Sequence, residues 1–231
     1  MDTMTLERLL TVQEKIEAAR QGRDVTLIAV SKFVEPERMQ IAYDAGVRDF
    51  GENYPQHLSE KWEKFPGANW HMIGQMQINK VKYLIGKVKL IQSMDRLALA
   101  KEIEKRAASR EIVQPVLVQV NIGLEPQKGG AEPDALEAFL ASVAELPHIC
   151  VRGLMAIPPA GEDPTPYFSQ MRELYDKFRS VDSRMPMDIL SMGMSHDYEQ
   201  AIAQGATMVR VGSAIFGPRQ IKTQEAISNG Q

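Results

Sequence analysis

Cysteine is almost absent from this chain. Cys150 is the single one in 231 residues, which excludes an internal disulfide and every multi-cysteine metal site. It falls in an apolar stretch, His148-Ile149-Cys150-Val151, that reads as core packing rather than as a reactive thiol. No apolar run approaches the ~18 residues that a membrane span needs. The first ten residues contain acidic side chains and no apolar h-region, so they do not read as a signal peptide, and a reducing, cytoplasmic setting is expected. Lys and Arg number 27 against 30 Asp and Glu, for a net charge of −3. No basic run stands out, so electrostatics give no ground to expect a nucleic acid or an anionic membrane as partner. The four histidines, His57, His71, His148 and His196, are dispersed without an H-x-x-x-H pair, and no metal site is expected. Neither G-x-x-x-x-G-K-[ST] nor G-x-G-x-x-G occurs, which argues against the nucleotide-binding folds.

What remains is an ordinary globular composition, 44% hydrophobic and 25% charged, arranged as an alternation of strands and helices. Residues 5–21 repeat apolar side chains at helical spacing, giving an amphipathic helix ahead of the first strand. Strands are expected over 26–32, 48–52, 70–73, 88–92, 115–122, 149–157, 188–194 and 208–216. Helices are expected over 36–45, 56–65, 79–85, 95–109 (capped by Asp95), 132–146, 166–184 and 197–204. Strict βα alternation dictates parallel strands with right-handed crossovers. Eight units in this length fit the α/β class as a closed (β/α)8 TIM barrel with an extra N-terminal helix. The chain reads as a single domain over 1–231, with that helix within 1–24 and a polar, loose tail over 218–231.

In such a barrel the chemistry sits at the C-terminal ends of the strands, and phosphate often binds after strands seven and eight. Strand one ends on a lysine, in Leu27-Ile28-Ala29-Val30-Ser31-Lys32. Lys32 is either a snorkelling surface residue or an amine that condenses with aldehydes. Gly193-Met194-Ser195-His196-Asp197 puts small and hydroxyl residues before a helix N-terminus, where free amides and the helix dipole favour an anion. Ser195 could equally serve as that helix's N-cap. It is not a hydrolase nucleophile, because Asp197 stands where G-x-S-x-G needs glycine. Arg210 interrupts an otherwise apolar strand and must find a partner or the barrel mouth. Gly212 lets backbone approach a ligand. A phosphorylated aldehyde satisfies both rims.

At these residues the chain resembles the pyridoxal-phosphate homeostasis proteins, single-barrel relatives of the alanine racemase N-terminal domain. The resemblance covers nearly the whole chain. Its motifs are Ala29-Val30-Ser31-Lys32, Gly51-Glu52-Asn53-Tyr54, Trp70-His71-Met72-Ile73-Gly74, Asn79-Lys80-Val81-Lys82, Lys128-Gly129-Gly130, Arg152-Gly153-Leu154-Met155-Ala156-Ile157, Ser191-Met192-Gly193-Met194-Ser195-His196-Asp197 and the run from Val209 to Gly217. Pro55, His57 and Met76 depart from the family's usual residues beside the site. The resemblance implies pyridoxal 5′-phosphate (PLP) held as a covalent aldimine on Lys32, with Ser195 and the backbone of Gly212 and Ser213 on its phosphate. It places Arg210 opposite the pyridine nitrogen and Asn53 near the ring. His71 and Met192 complete the expected set of cofactor-binding residues.

An arginine cannot accept the proton that an electron-sink pyridine needs a carboxylate to support, so carbanion chemistry is weakly favoured. Racemisation also needs an acid/base on each face of the α-carbon. The racemases of the family take one from a second domain and a partner subunit, whereas this chain ends about fifteen residues after its last strand. The expectation is therefore a monomeric, cytoplasmic PLP carrier that buffers or delivers the cofactor, with apo PLP-dependent enzymes as partners. The alternative is a PLP-dependent amino-acid racemase drawing a second base from Tyr54, His71 or His196. A Schiff-base aldolase stands further off. Lys128 reads as a solvated loop residue or a second aldehyde acceptor, and the methionines as core packing, with Met155, Met192 and Met194 as alternative ring contacts.

Overall fold

Short runs of β-branched and apolar residues, each cut by a turn, give eight strands among the described residues, with an α-helix between successive strands except for a 3₁₀ segment between the third and fourth. The computed structural model describes residues 3–179 and 185–218. After α1 (Thr3–Arg20) the chain runs β1 (Thr26–Val30), α2 (Pro36–Asp44), β2 (Asp49–Glu52), α3 (Pro55–Lys61) and β3 (Asn69–Met72). A 3₁₀ segment, Ile78–Tyr83, leads to β4 (Leu90–Met94), α4 (Leu97–Ala108) and β5 (Gln114–Val120). Then follow α5 (Leu136–Ala144), β6 (Ile149–Ala156), α6 (Thr165–Phe178), β7 (Ile189–Ser191), α7 (Tyr198–Ala203), β8 (Met208–Val211) and α8 (Ser213–Phe216). The strands pair in sequence order, all parallel, and β8 closes on β1 to form a barrel. The expected (β/α)8 architecture with a leading helix is the one observed.

Alternation along each strand divides the core in two. Ile28, Leu90, Leu117, Met155 and Met208 point inward and fill the barrel. Outward residues such as Ala29, Phe50, Met72 and Ile91 pack beneath the helices with Leu58, Leu99, Leu140 and Phe168. In α1 the buried side chains Thr5, Leu9, Val12 and Ile16 recur at helical spacing, and this stripe packs on α2, α7 and α8. A four-residue α8 is too short to cover the β8–β1 seam, and α1 covers it instead. No helix among the described residues is long and apolar enough to cross a membrane.

Three expectations are corrected in detail. The last strand does not run to Phe216: it ends at Val211, and residues 213–216 turn into α8, because the first amides of that turn find an acceptor in Ser195. Helix α4 begins at Leu97 with Arg96 at its N-cap, while Asp95 pairs with the Arg96 guanidinium at 2.5 Å rather than capping. The helix expected over 132–146 starts as a 3₁₀ turn, Pro133–Ala135. The expected extension of α6 to Arg184 and the tail beyond Pro218 lie outside the described residues.

One backbone contact fixes the β6–β7 seam. Gly153 has φ +150°, and a Cβ there would sit 1.7 Å from the Ile189 carbonyl oxygen. Gly153→Ala is expected to lower unfolding free energy by about 1–3 kcal/mol, through strain and overpacking. Urea denaturation measures it, and an unchanged midpoint would contradict this view of the seam.

Candidate functional site

Strand β1 delivers Lys32 to the rim. Ser31 extends the ladder by one bond, its amide donating to the Gly51 carbonyl at 2.9 Å, and Phe33 then turns the chain with φ +59°. Lys32 is exposed within a cleft of about 960 Å³, which Asn53, Gly212 and Ser213 also line. Among the described residues its side chain has no hydrogen-bond or ion-pair partner, so its amine is free to meet a ligand. A second lysine in the cleft wall is differently placed. Lys61 Nζ donates to the Ser31 carbonyl and to Glu52 Oε1, each at 2.7 Å, and Ser31 Oγ donates to the same carboxylate oxygen at 2.7 Å. This buried cluster of Ser31, Glu52 and Lys61 ties α3 to the strand end carrying Lys32. Glu52 Oε2 is buried without a partner.

The adjoining part of the rim is built from the β7–α7 and β8–α8 turns. The amides of Gly212 and Ala214 both donate to Ser195 Oγ, at 3.1 and 3.2 Å. Both N–H groups are thus satisfied by the Ser195 hydroxyl, which ties the start of α8 to the β7–α7 turn. Ser195 is not the N-cap of α7: Asp197 takes that place, and its Oδ1 accepts from the Met194 amide at 2.5 Å. Gly212 lies against β1, where a Cβ would fall 3.2 Å from Val30 Cβ, so Lys32 and the amide cradle share one edge of the barrel. Ser195 and Ala214 are not in the cleft lining and border a smaller recess beside α1, lined by Arg8, Lys15 and His196 among others.

Beneath the rim, Arg210 is level with Ile28 at its Cα, yet its Nη2 reaches the carbonyl of Ala156, the last residue of β6, at 3.0 Å. The side chain therefore climbs inside the barrel toward the strands' C-terminal ends. Its Nη1 donates to Ser191 Oγ at 2.6 Å. Burial pulls the guanidinium down to about 10, partly offset by the charge of Asp197. It remains cationic at neutral pH, with no ion-pair partner among the described residues.

The remaining candidates are scattered. Asn53 Oδ1 is buried and unpartnered beside the cleft. Its backbone is crowded by the β3 loop, because a Cβ on Gly74 would sit 2.3 Å from the Asn53 carbonyl oxygen. His71 is buried in the barrel, with Nε2 at 2.9 Å from Asp49 Oδ1 and Nδ1 at 3.3 Å from Gln92 Nε2. Met192 is fully buried in the shell between strands and helices, away from the cleft lining. Met155 faces the barrel interior instead. Tyr54 lines the cleft in ring contact with Phe33 and His57, at 5.5 and 5.3 Å between centroids. Lys128 donates to the Pro158 carbonyl at 3.0 Å and pairs with Glu125. Burial pushes the Cys150 thiol up, away from reactivity. Sequence reasoning missed the roles of Glu52, Lys61, Gln92 and Ser191. For Glu52, Gln92 and Ser191 the signal available was a polar residue at a strand position where the alternation demands burial; Lys61, at the end of α3, carried none.

Residues 9–220 match the family model for the alanine racemase N-terminal domain. A pyridoxal phosphate homeostasis protein of Aquifex aeolicus is 46% identical over 93% of this chain and 98% of its own length. PipY of Synechococcus elongatus, solved with PLP bound, superposes with a TM-score of 0.82 at 33% identity, over 92% of this chain and 100% of that one. An alanine racemase of Clostridium difficile shares the fold, with a TM-score of 0.72 at 17% identity, over 92% of this chain and 57% of that one.

The Glu52–Lys61 pair yields a stability prediction. Glu52→Leu strands a buried lysine and is expected to cost about 3–5 kcal/mol, whereas Glu52→Leu combined with Lys61→Met recovers most of the loss. Denaturant titration of both variants checks this; equal stability of the single and double variants would remove the pair from the account.

Proposed function

Because the chain belongs to the pyridoxal phosphate homeostasis family, built on the alanine racemase N-terminal domain, we propose that it binds pyridoxal 5′-phosphate and acts in the homeostasis of that cofactor. The observation that carries this reading is one cleft in which the Lys32 amine, without a partner among the described residues, lies with Asn53 and with Gly212 and Ser213 at the start of α8. The residues present fit the cofactor: a primary amine for an aldehyde, a helix-start cradle for a dianion, and a buried arginine without a counter-ion. When bound, the cofactor supplies a reactive aldehyde and an aromatic ring able to delocalise negative charge.

Lys32 Nζ is the amine that would hold the cofactor through its aldehyde carbon, the aldehyde oxygen leaving as water. Ser195, with the backbone of Gly212 and Ser213, would hold the phosphate. Arg210 would meet the pyridine nitrogen as a donor, and a nitrogen so held would carry no proton and make the ring a poor electron sink. Asn53 offers its unpartnered oxygen beside the ring. His71 and Met192 stand behind the site rather than in its lining, and their contribution is indirect. Buffering or delivery of the cofactor to apo-enzymes, by a monomer in the cytoplasm, is the role this arrangement suits.

Efficient racemisation requires a second acid/base across from Lys32. His71 is locked between Asp49 and Gln92, and His196 borders the other recess. Tyr54 alone of the three lines the cleft, and it is engaged with neighbouring rings.

The test is titration of the purified protein with PLP, followed by visible absorbance and mixing with an apo PLP-enzyme. Saturable binding, transfer of the cofactor, and L- to D-alanine conversion far below the enzyme median of ~10 s⁻¹ are expected. Turnover near that median would establish a racemase instead, and absence of binding would remove the function altogether.

A further inference from the structure

A line of polar side chains crosses the barrel where apolar residues would pack as well. Asp49, His71, Gln92, Ser191 and Arg210 come from β2, β3, β4, β7 and β8, and His71, Gln92 and Ser191 are buried. Arg210 Nη1 lies 2.6 Å from Ser191 Oγ, and Ser191 Oγ 2.7 Å from Gln92 Oε1. Gln92 Nε2 is 3.3 Å from His71 Nδ1, and His71 Nε2 is 2.9 Å from Asp49 Oδ1. Lys89 Nζ touches the same aspartate oxygen at 3.3 Å.

The chemistry of the groups fixes the direction of every link. A guanidinium only donates, so Ser191 Oγ accepts from it and gives its one proton to Gln92 Oε1. That orients the amide with Nε2 toward His71, whose Nδ1 must accept. The ring proton is then on Nε2 and goes to Asp49. All four bonds donate in the same sense, from the cation below the cleft to a carboxylate at the opposite end of the strands. A half-satisfied chain of this kind would cost more than an apolar interior, so the complete one marks a function of position.

We propose that Ser191, Gln92, His71 and Asp49 are positioning residues that hold the Arg210 guanidinium in place for the cofactor's ring; the proposal rests on the reading that Arg210 meets that ring. The chain works only with a neutral His71. A proton on Nδ1 would confront the Gln92 amide N–H, force the amide to turn over, and leave Ser191 facing two donors with its own proton misplaced. Arg210 would then lose the Ser191 half of its anchorage and keep only the Ala156 carbonyl. The charged groups facing His71 are Asp49 from β2 and Lys89 ahead of β4, with neutral Gln92 from β4. Burial pulls the imidazole below its ordinary value, Asp49 pulls it up and Lys89 down. The chain is therefore intact at neutral pH and reverses only on the acid side of the usual imidazole range.

Two variants test this, Ser191→Ala and Gln92→Met, each read without and with PLP. In the cofactor-free protein, ¹⁵N NMR is expected to show His71 in the Nε2–H form, and faster exchange of the Arg210 guanidinium protons in both variants than in wild type. In the loaded protein, both variants should still bind one PLP, with affinity weakened about fivefold, the equivalent of one net hydrogen bond. Their bound-cofactor absorbance should be shifted, and the acid-side inflection that tracks His71 in wild type should be missing. Wild-type exchange rates, spectra and pH profiles in both variants would overturn the proposal while leaving cofactor binding intact. Failure of wild type to bind PLP would overturn the functional reading, and this proposal with it.

Discussion

Closure of the barrel between its first and last strands is the constraint on which the site depends. Parallel pairing of β1 with β8 sets Ile28 level with Arg210 and Ala29 level with Val211. One residue further along, the same register brings Gly212 against Val30. An amine from one end of the chain and an amide cradle from the other thereby share a single rim. Neither strand has a functional meaning alone. The leading helix α1 belongs to the same device, because its buried stripe covers the seam that the short α8 leaves bare.

Charge is distributed around that rim with a clear division of labour. Lys61 is neutralised by Glu52 and bonded to the Ser31 carbonyl, so it braces the wall. Lys32, one residue beyond Ser31, is left unpaired. Among the described residues Arg210 has no carboxylate partner and is held by a hydroxyl and a carbonyl. A buried cation in that condition is costly by itself, and a ligand that accepts from it would offset part of the cost. The unpartnered Asn53 Oδ1 fits the same pattern. Interior polarity in this barrel thus concentrates where a ligand would complete it.

The fold was legible because strands and helices alternate with clear periodicities, and the β strands carry near-continuous apolar runs. Lys32, Gly212 and Ser195 were legible because each breaks its local pattern at a strand end. The end of β8 was misread because Ala214, Ile215 and Phe216 continue an apolar run that suits strand or helix alike. Only the long-range bonds from Gly212 and Ala214 to Ser195 decide for the turn. Asp95 carried an N-cap signature, but its carboxylate went to the adjacent guanidinium. The polar line through the barrel was illegible for a similar reason. Gln92 and Ser191 look like ordinary strand residues until five strands are placed around one axis. His71 was read toward the cofactor, whereas its ring points back to Asp49 at the beginning of β2.

The central claim is that one amine at the β1 terminus receives the cofactor while the β8 turn grips its phosphate. Peptide mapping after borohydride reduction of the PLP-treated protein tests this most directly. The account predicts one added pyridoxyl-phosphate group, located on Lys32 and suppressed by excess inorganic phosphate. Label on Lys61 or Lys128 in place of Lys32, or no stable label at all, would contradict it.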